Sequence, residues 1–253
     1  MEISHVTPVL IVKNGEATIA ATLDSLAPFK NVVVYDNGSE DNSLLIAQRY
    51  RNVLLIQGEF FGFGITKNMA ASHAETDWIF SLDCDEVPDQ VLINSIAAWQ
   101  PEDKNCVADI HRENFFCGKA IKTNGWGNDV LTRLYNKEKH NFTKSQVHEK
   151  IELHSTSYKT KLSGKLQHTA ITDLKQILDK AQLYSEIYAN SEKAKLYPFS
   201  IIILKTWFAF LRSYLLKLGL LSGWRGLVIS MGDSIGVFFK YAKVYQKKNS
   251  GNI

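Results

Sequence analysis

The sequence predicts an α/β fold. A mostly parallel sheet comes first, antiparallel strands follow, and a helical appendage closes the chain. Three observations lead there. The first hundred residues alternate short apolar runs with amphipathic segments, joined by short connections, which is the pattern of successive βα units. Between Lys104 and His168 the helical spacing disappears, although apolar residues continue. From Thr172 onward helical spacing returns, in a stretch rich in aromatic and basic residues.

Each element follows from local pattern. Val6 to Lys13 reads as a strand, and Asn14 as the cap of a helix whose apolar face carries Ile19, Leu23 and Leu26. Asn31 to Asp36 is a second strand that ends in the turn Asp36-Asn37-Gly38-Ser39. Asp41 to Tyr50 is read as a helix and Val53 to Ile56 as a third strand. Gly62 and Gly64 lead into a helix that holds Lys67 and Asn68. Trp78 to Leu82 is a buried strand that ends abruptly in Asp83, Asp85 and Glu86, and Pro88 opens a helix running to Trp99. Phe115, Phe116, Ile121, Trp126, Leu131, Leu134, Tyr135 and Phe142, scattered among polar residues, suggest short antiparallel strands and loops. Thr172 or Asp173 is the expected cap of a helix with Leu174, Ile177, Leu178, Ala181, Tyr184 and Tyr188 on one face. The natural division is a body, 1–172, and a helical region, 173–253, with neither internal repeat nor low-complexity linker.

Charge is unevenly spread over the 253 residues. From Lys193 to Ile253 there are ten Lys and Arg against one acid, Asp233, a charge of +9 within a total of +3, so the remainder stands at −6. Phe199 to Leu211 is strongly apolar but includes Lys205, with Arg212, Lys217 and Arg225 close behind. No window is expected to supply the roughly 20 largely uncharged residues of a spanning helix. Cations beside Trp207, Phe208, Phe210 and Tyr214 instead suit helices lying on an anionic membrane surface. A buried helical subdomain or an oligomer contact is the alternative. Met1 to Leu10 has no basic stretch ahead of its apolar run, unlike a secretory signal. Cys84, Cys106 and Cys117 form no C-x-x-C pair, which argues against a disulfide framework and for a reducing cytoplasm. The expected location is the cytoplasm, peripheral on the inner face of the cytoplasmic membrane.

The chemistry concentrates at Asp83-Cys84-Asp85-Glu86. In open α/β sheets, ligands bind at the carboxyl ends of the strands. Three crowded carboxylates repel, and an oxygen-rich set favours a hard divalent ion, Mg²⁺ or Mn²⁺. Asp36 ends its own strand at the same edge. It is either a plain turn residue or an acceptor for a base or ribose. No G-x-G-x-x-G follows the first strand and no Walker sequence is present, which removes dinucleotide and P-loop sites.

Taken together, several pieces resemble the family 2 glycosyltransferases, nucleotide-sugar-dependent inverting enzymes with the GT-A fold, a Rossmann-like sheet with antiparallel acceptor-side strands. These are Lys13-Asn14-Gly15-Glu16, Asp36-Asn37-Gly38-Ser39-Glu40-Asp41, Gly62-Phe63-Gly64 with Lys67-Asn68, and the D-x-D-E element. Gly125-Trp126-Gly127-Asn128-Asp129, Arg133-Leu134-Tyr135, Val147-His148-Glu149 and Leu162 to His168 look like one branch, which includes bacterial glucosyltransferases of the lipopolysaccharide inner core. The resemblance covers nearly the whole chain. It departs at Cys84, where small residues such as Ala are usual, and in having no evident Glu-Asp base motif. Cys84 should point away from its neighbours and affect the metal little.

The resemblance implies a metal site at Asp85 and Asp83, with His168 as a further ligand and His148 as a weaker one. Lys13, Asn14, Glu16, Asp36 and Asn37 are assigned to the nucleotide-sugar donor, as are Lys67, Asn68, Asp83 and Arg133. A separate carboxylate must take the proton of the acceptor hydroxyl, and Glu149 and Asp129 are the two candidates. His5, His73, His111, His140 and His154 read as structural. The implied reaction moves a hexose, glucose from UDP-glucose by preference, to a lipopolysaccharide-core or other glycan or glycolipid acceptor at a membrane. A peptide or soluble acceptor, a metal-dependent nucleotidyltransferase and a non-enzymatic binding module are the rivals. Nucleic acid is not an expected partner.

Overall fold

The computed structural model describes residues 2–144 and 149–249. The chain divides into two compact units. One comprises Met1–Glu113 and Asp129–His168, the other Asn114–Asn128 and Thr169–Ile253, so the second unit recruits a segment from the middle of the sequence.

The first unit is built on a mixed sheet. Strands β1 (Val6–Val12), β2 (Val32–Asp36), β3 (Val53–Gln57) and β4 (Trp78–Asp83) are parallel neighbours in the order β3-β2-β1-β4. The connecting helices are α1 (Ile19–Ser25), α2 (Ser43–Ala47) and α3 (Phe63–Ser72). After β4 come the short β5 (Glu86–Pro88), α4 (Gln90–Ala98) and the long β6 (Cys106–Phe116). The two-residue β7 (Lys119–Ala120) pairs antiparallel with the end of β6, and β8 (Asp129–Asn136) and β9 (Tyr158–Ile171) complete the order β4-β8-β6-β9-β5. The β4–β8, β6–β8 and β5–β9 pairs of this half are antiparallel. Apart from β7, the strands after Lys104 are long, 8 to 14 residues, where the sequence suggested short ones. The longest, β9, alternates half-buried Tyr158, Thr160 and Leu162 with exposed Lys159, Lys161 and Ser163, the period of a strand with one face to solvent.

Burial explains the layers. Every residue of β1 is buried. Val6, Leu10 and Val12 meet α1 and α4 through Ile19, Leu23, Leu92 and Ile96 on one face. Val9 and Ile11 meet Ala70 and Ala71 of α3 on the other. Two expected caps are different. Asn14, at φ 54°, accepts the N–H of Glu40 through Oδ1 and leaves the start of α1 to Thr18. Pro88 ends β5 rather than opening α4, and Asp89 caps that helix by accepting from the Leu92 N–H at 2.8 Å. Helix α2 is shorter than Asp41–Tyr50 because Asp41 folds back onto the backbone N–H and hydroxyl of Ser43.

The second unit holds α5 (Lys175–Ala189), α6 (Phe199–Leu211), a π-helical turn Arg212–Leu216, a 3-10 turn Gly219–Ser222 and α7 (Gly223–Asn249). Its core joins Phe116 and Ile121 to Ala170, Ile171 and Ile229. Asn124 is buried and donates through Nδ2 to Ser213 Oγ, Ser230 Oγ and the Gly226 carbonyl at 3.1, 2.9 and 3.2 Å. That side chain ties the 114–128 segment to the tail. The face expected to bury α5 is largely outward: Leu174, Leu178 and Tyr184 are exposed. Phe199–Leu216 is, by length and composition, apolar enough to cross a membrane, with mean hydropathy 1.4 and 17% of it buried in the protein. The window is 18 residues long and holds Lys205 and Arg212; it arises because α6 and the π-helical turn run on as one helix through Arg212.

Candidate active site

Strand order reverses at β1, with β2 on one side and β4 on the other, and Ile11 lies in register with Asp83. That crevice at the carboxyl edge is the ligand position of open α/β sheets. Asp36 ends β2 at this edge and is 2% exposed. Its Oδ2 accepts the N–H groups of Gly38 and Ser39 at 3.1 Å, and its Oδ1, also buried, has no hydrogen-bond partner among the described residues. A buried carboxylate oxygen without a donor is costly unless a ligand supplies one.

The rim beside Asp36 is zipped by side chains. Asn14 N–H donates to Ser39 Oγ, Gly15 N–H to Ser43 Oγ and Glu16 N–H to Asp41 Oδ2, at 2.9, 2.8 and 2.9 Å. Glu16 accepts from the backbone and side chain of Asn42. Asn14 and Glu16 thus cross-link two loops in this state. Lys13 is exposed at the end of β1, and Asn37 is half-buried with its N–H on the Val12 carbonyl.

At the end of β4 the acids meet protein cations. Lys67 is 4% exposed because α3 turns it inward with Ala70 and Ala71. Its Nζ reaches Asp83 Oδ1 at 2.8 Å and Glu149 Oε1 at 2.7 Å. Gly64 makes room for this, since a Cβ there would lie 1.8 Å from the Thr143 carbonyl oxygen. Asn68 holds the same stretch, with Oδ1 accepting the Phe142 N–H and Nδ2 donating to the Phe142 carbonyl. Arg133, buried on β8, donates through Nη2 to Asp83 Oδ2 at 2.9 Å and Glu86 Oε1 at 2.7 Å. Glu86 is fully buried and also accepts from Arg112 Nη1 at 3.0 Å, while Arg112 Nη2 binds Asp129 Oδ2 at 2.7 Å. A continuous chain therefore runs Glu149–Lys67–Asp83–Arg133–Glu86–Arg112–Asp129.

The electrostatics follow from this chain. Enclosure alone would raise the Asp83 carboxyl, but Lys67 and Arg133 hold it well below the usual carboxylate range. Burial opposes the charge on Arg133, yet Glu86 and Asp83 keep it more firmly protonated than usual. Burial, then Asp85 and Asp83, push the Cys84 thiol up to about 12, so it is an inert packing group against the core. Asp85 lies apart from the chain: its Oδ2 is 3.4 Å from His168 Nε2, brought there by the Glu86–His168 register of β5 and β9.

The sequence places these acids at one edge and assigns their neutralisation to a metal. The structure gives that task, for Asp83 and Glu86, to Lys67, Arg133 and Arg112. Both Asp83 oxygens are engaged by cations, which leaves Asp85 and His168 as the oxygen–imidazole pair nearest the edge. Among the described residues no set of three His, Cys, Asp or Glu side chains converges as a metal cluster. His148 lies outside the described residues. Arg112 was missed; its signal was one more cation in a strand, one residue away from Glu113, and only pairing to β8 gives it meaning.

Comparison with known proteins agrees with this geometry. The profile described as "Glycosyl transferase family 2" matches residues 8–160. The chain is 24% identical over 246 residues to the lipopolysaccharide core biosynthesis glycosyltransferase LpsC of Rhizobium meliloti, spanning 94% of this chain and 91% of that protein. A shorter match, 33% over 85 residues, links 32% of the chain to 9% of the chondroitin synthase of Pasteurella multocida. Among solved structures, S. aureus TarS residues 1–349 superposes with a TM-score of 0.46 at 16% identity, covering 99% of this chain and 92% of that one. With the profile matching well over half of its length, and its acids at the switch point of a mixed α/β sheet, this chain belongs to glycosyl transferase family 2 and is a glycosyltransferase.

Proposed function

We propose that the enzyme transfers a hexose, glucose by preference, from a uridine diphosphate sugar to a hydroxyl of a lipopolysaccharide-core or similar cell-surface glycan, with inversion at the anomeric carbon. An α-linked donor then gives a β-linked product. The observation that carries the donor reading is the buried, unpartnered Oδ1 of Asp36. A carboxylate can only accept, and a uracil ring N–H or a ribose hydroxyl supplies the missing donor. The acceptor reading is supported by the named activity of LpsC, which aligns along almost the whole chain.

Asp85 and His168 fit a divalent ion. A carboxylate oxygen and an imidazole nitrogen 3.4 Å apart are an acceptable pair for Mn²⁺, with the remaining positions left to diphosphate oxygens and water. The charge balance agrees, since Lys67, Arg133 and Arg112 face four carboxylates and Asp85 adds a fifth. Such an ion would neutralise the charge that develops on the leaving diphosphate. In this reading Asp83 fixes Lys67 and Arg133 and reaches the donor ribose. Glu149 takes the acceptor proton. Its partner Lys67, 2.7 Å away, orients it, and Asp129 on Arg112 is the alternative base.

The aromatic, basic tail is the proposed contact with a membrane that holds the acceptor, on its cytoplasmic face. Exposed Leu204, Trp207, Phe208 and Leu211 along α6 support that reading.

The test is protection against unfolding by UDP, UDP-glucose, UDP-galactose and UDP-N-acetylglucosamine, with and without Mn²⁺. Donor at 100 times its dissociation constant adds about 2.7 kcal/mol. Metal-dependent protection strongest for UDP-glucose is expected, followed by transfer to lipopolysaccharide-core acceptors. Protection by no uridine nucleotide rejects the donor reading. Transfer only to peptides or soluble sugars rejects the acceptor.

A further inference from the structure

We infer that the protein is held on lipid by the apolar turn between α6 and α7, through insertion of Leu215, Leu216, Leu218, Leu220, Leu221 and Trp224, and that the positive charge of the tail contributes little to the hold. This rests on the membrane reading above and specifies its chemistry.

The second unit is inverted at this turn: polar groups point inward and leucines outward. Asn124 fills the interior of the turn with bonds to Ser213, Gly226 and Ser230, and its N–H donates to the Lys217 carbonyl at 2.9 Å. Thr123 and Ser222 share a hydroxyl–hydroxyl bond at 2.6 Å, and Ser213 Oγ donates to Asp233 Oδ2 at 2.7 Å. Gly219 is required there, because a Cβ would lie 2.6 Å from Asn124 Nδ2. The turn is thus rigidly pinned from within by satisfied polar groups. Its outer side carries Leu216 at 72% exposure and Leu221 at 68%, with the other four inserting side chains also exposed. Leu218 sits at φ 57°, a conformation that suits glycine or asparagine and that bulky residues rarely adopt. A leucine kept there and left exposed gains nothing in water.

The occupant is a bilayer rather than a second protein surface. The outward residues are aliphatic, with Trp224 and Trp207 at the flanks and Arg212 and Lys217 beside them. This is the order of an apolar plug, aromatic belt and snorkelling cations. Half of the tail's cations, by contrast, have their head groups engaged internally. Lys205 Nζ lies 4.6 Å from the Tyr197 ring centre and Lys240 Nζ 4.1 Å from that of Tyr188. Lys243 and Lys247 pair with Glu186. Arg225 donates to the Phe116 and Cys117 carbonyls and stacks on Trp224. Five of the ten cations counted from the sequence are therefore committed within the second unit.

The experiment is flotation of the full chain with phosphatidylethanolamine–phosphatidylglycerol vesicles at 0.1 and 1 M NaCl. It is paired with tryptophan quenching by brominated lipid, which needs no variant. Wild type should float at both salts with less than about a threefold change, because the Debye length falls to about 3 Å at 1 M, and quenching should persist at 1 M. Leu216→Asp with Leu221→Asp should lower binding at least about 100-fold, with circular dichroism and Tm unchanged because both side chains are exposed. Where that pair alters the fold, salt-resistant quenching of the wild type decides. Release at 1 M NaCl, or undiminished flotation of the folded double variant, overturns the inference and leaves the membrane reading standing. A wild type that never floats removes both. A wild-type oligomer that ignores vesicles and becomes monomeric in the variant assigns the turn to a second copy.

Discussion

Replacing Glu86 with alanine tests whether the site acids are neutralised by protein cations. The carboxylate accepts from Arg133 Nη2 at 2.7 Å, Arg112 Nη1 at 3.0 Å and the Asp83 N–H at 3.0 Å, and it is fully buried. Without it each arginine keeps one carboxylate, Asp83 or Asp129, so neither cation is stranded. The Asp83 N–H is stranded, at about 1–3 kcal/mol, and two charge-assisted bonds are lost at about 1.5–3 kcal/mol each. These terms overlap, and breaking a buried pair typically costs about 3–5 kcal/mol in all. At about 2–4 °C per kcal/mol for a chain of this size, Tm should fall by about 6–20 °C. Glu86→Gln keeps an acceptor oxygen toward the arginines and should lose roughly half as much. Calorimetry and urea titration of the wild type and both variants make the measurement. An alanine variant melting within about 2 °C of wild type would refute the argument, as would a glutamine variant less stable than the alanine one.

Four further outcomes are expected. Asp85→Ala should abolish metal-dependent transfer and weaken Mn²⁺ binding by calorimetry, with Tm nearly unchanged, since Asp85 stands outside the ion-pair chain. Glu149→Gln should keep donor binding and lower kcat by roughly 10²-fold or more; if Asp129→Asn has that effect and Glu149→Gln is mild, the base is Asp129. Asp36→Asn should cost at least about tenfold in UDP affinity, read by thermal shift, with little change in the ligand-free Tm, because the orphan Oδ1 has no protein bond to lose. Burial, then His154, hold the buried His140 imidazole below its ordinary value. The native state therefore binds fewer protons than the unfolded one, and stability is full above the unfolded value of about 6.5 and declines as pH falls below it; His140→Phe should flatten urea-derived stability between about pH 6.5 and 5.

The sequence by itself determined the elements whose cause is local. Apolar runs bounded by turn residues specify β1 to β4, and helical spacing of Ile19, Leu23 and Leu26 specifies α1. Because parallel βα units leave the carboxyl ends of their strands at one edge, chain order alone puts Asp36 and the Asp83–Glu86 cluster on a common edge. What the sequence left open depends on pairing between distant residues. Lys67 and Glu149 are 82 positions apart, Asp83 and Arg133 50, and Glu86 and Arg112 26. Only strand register and the packing of α3 decide that these charges meet. The same holds for the tail. Its composition announced a basic, apolar surface, but Lys205, Lys240 and Arg225 can be counted as free or committed only when Tyr197, Tyr188 and the Phe116 carbonyl are seen beside them. A charge in a sequence has a sign. Its partner, and therefore its use, is set by the tertiary fold, because Coulomb and hydrogen-bond energies depend on distances that chain order does not encode.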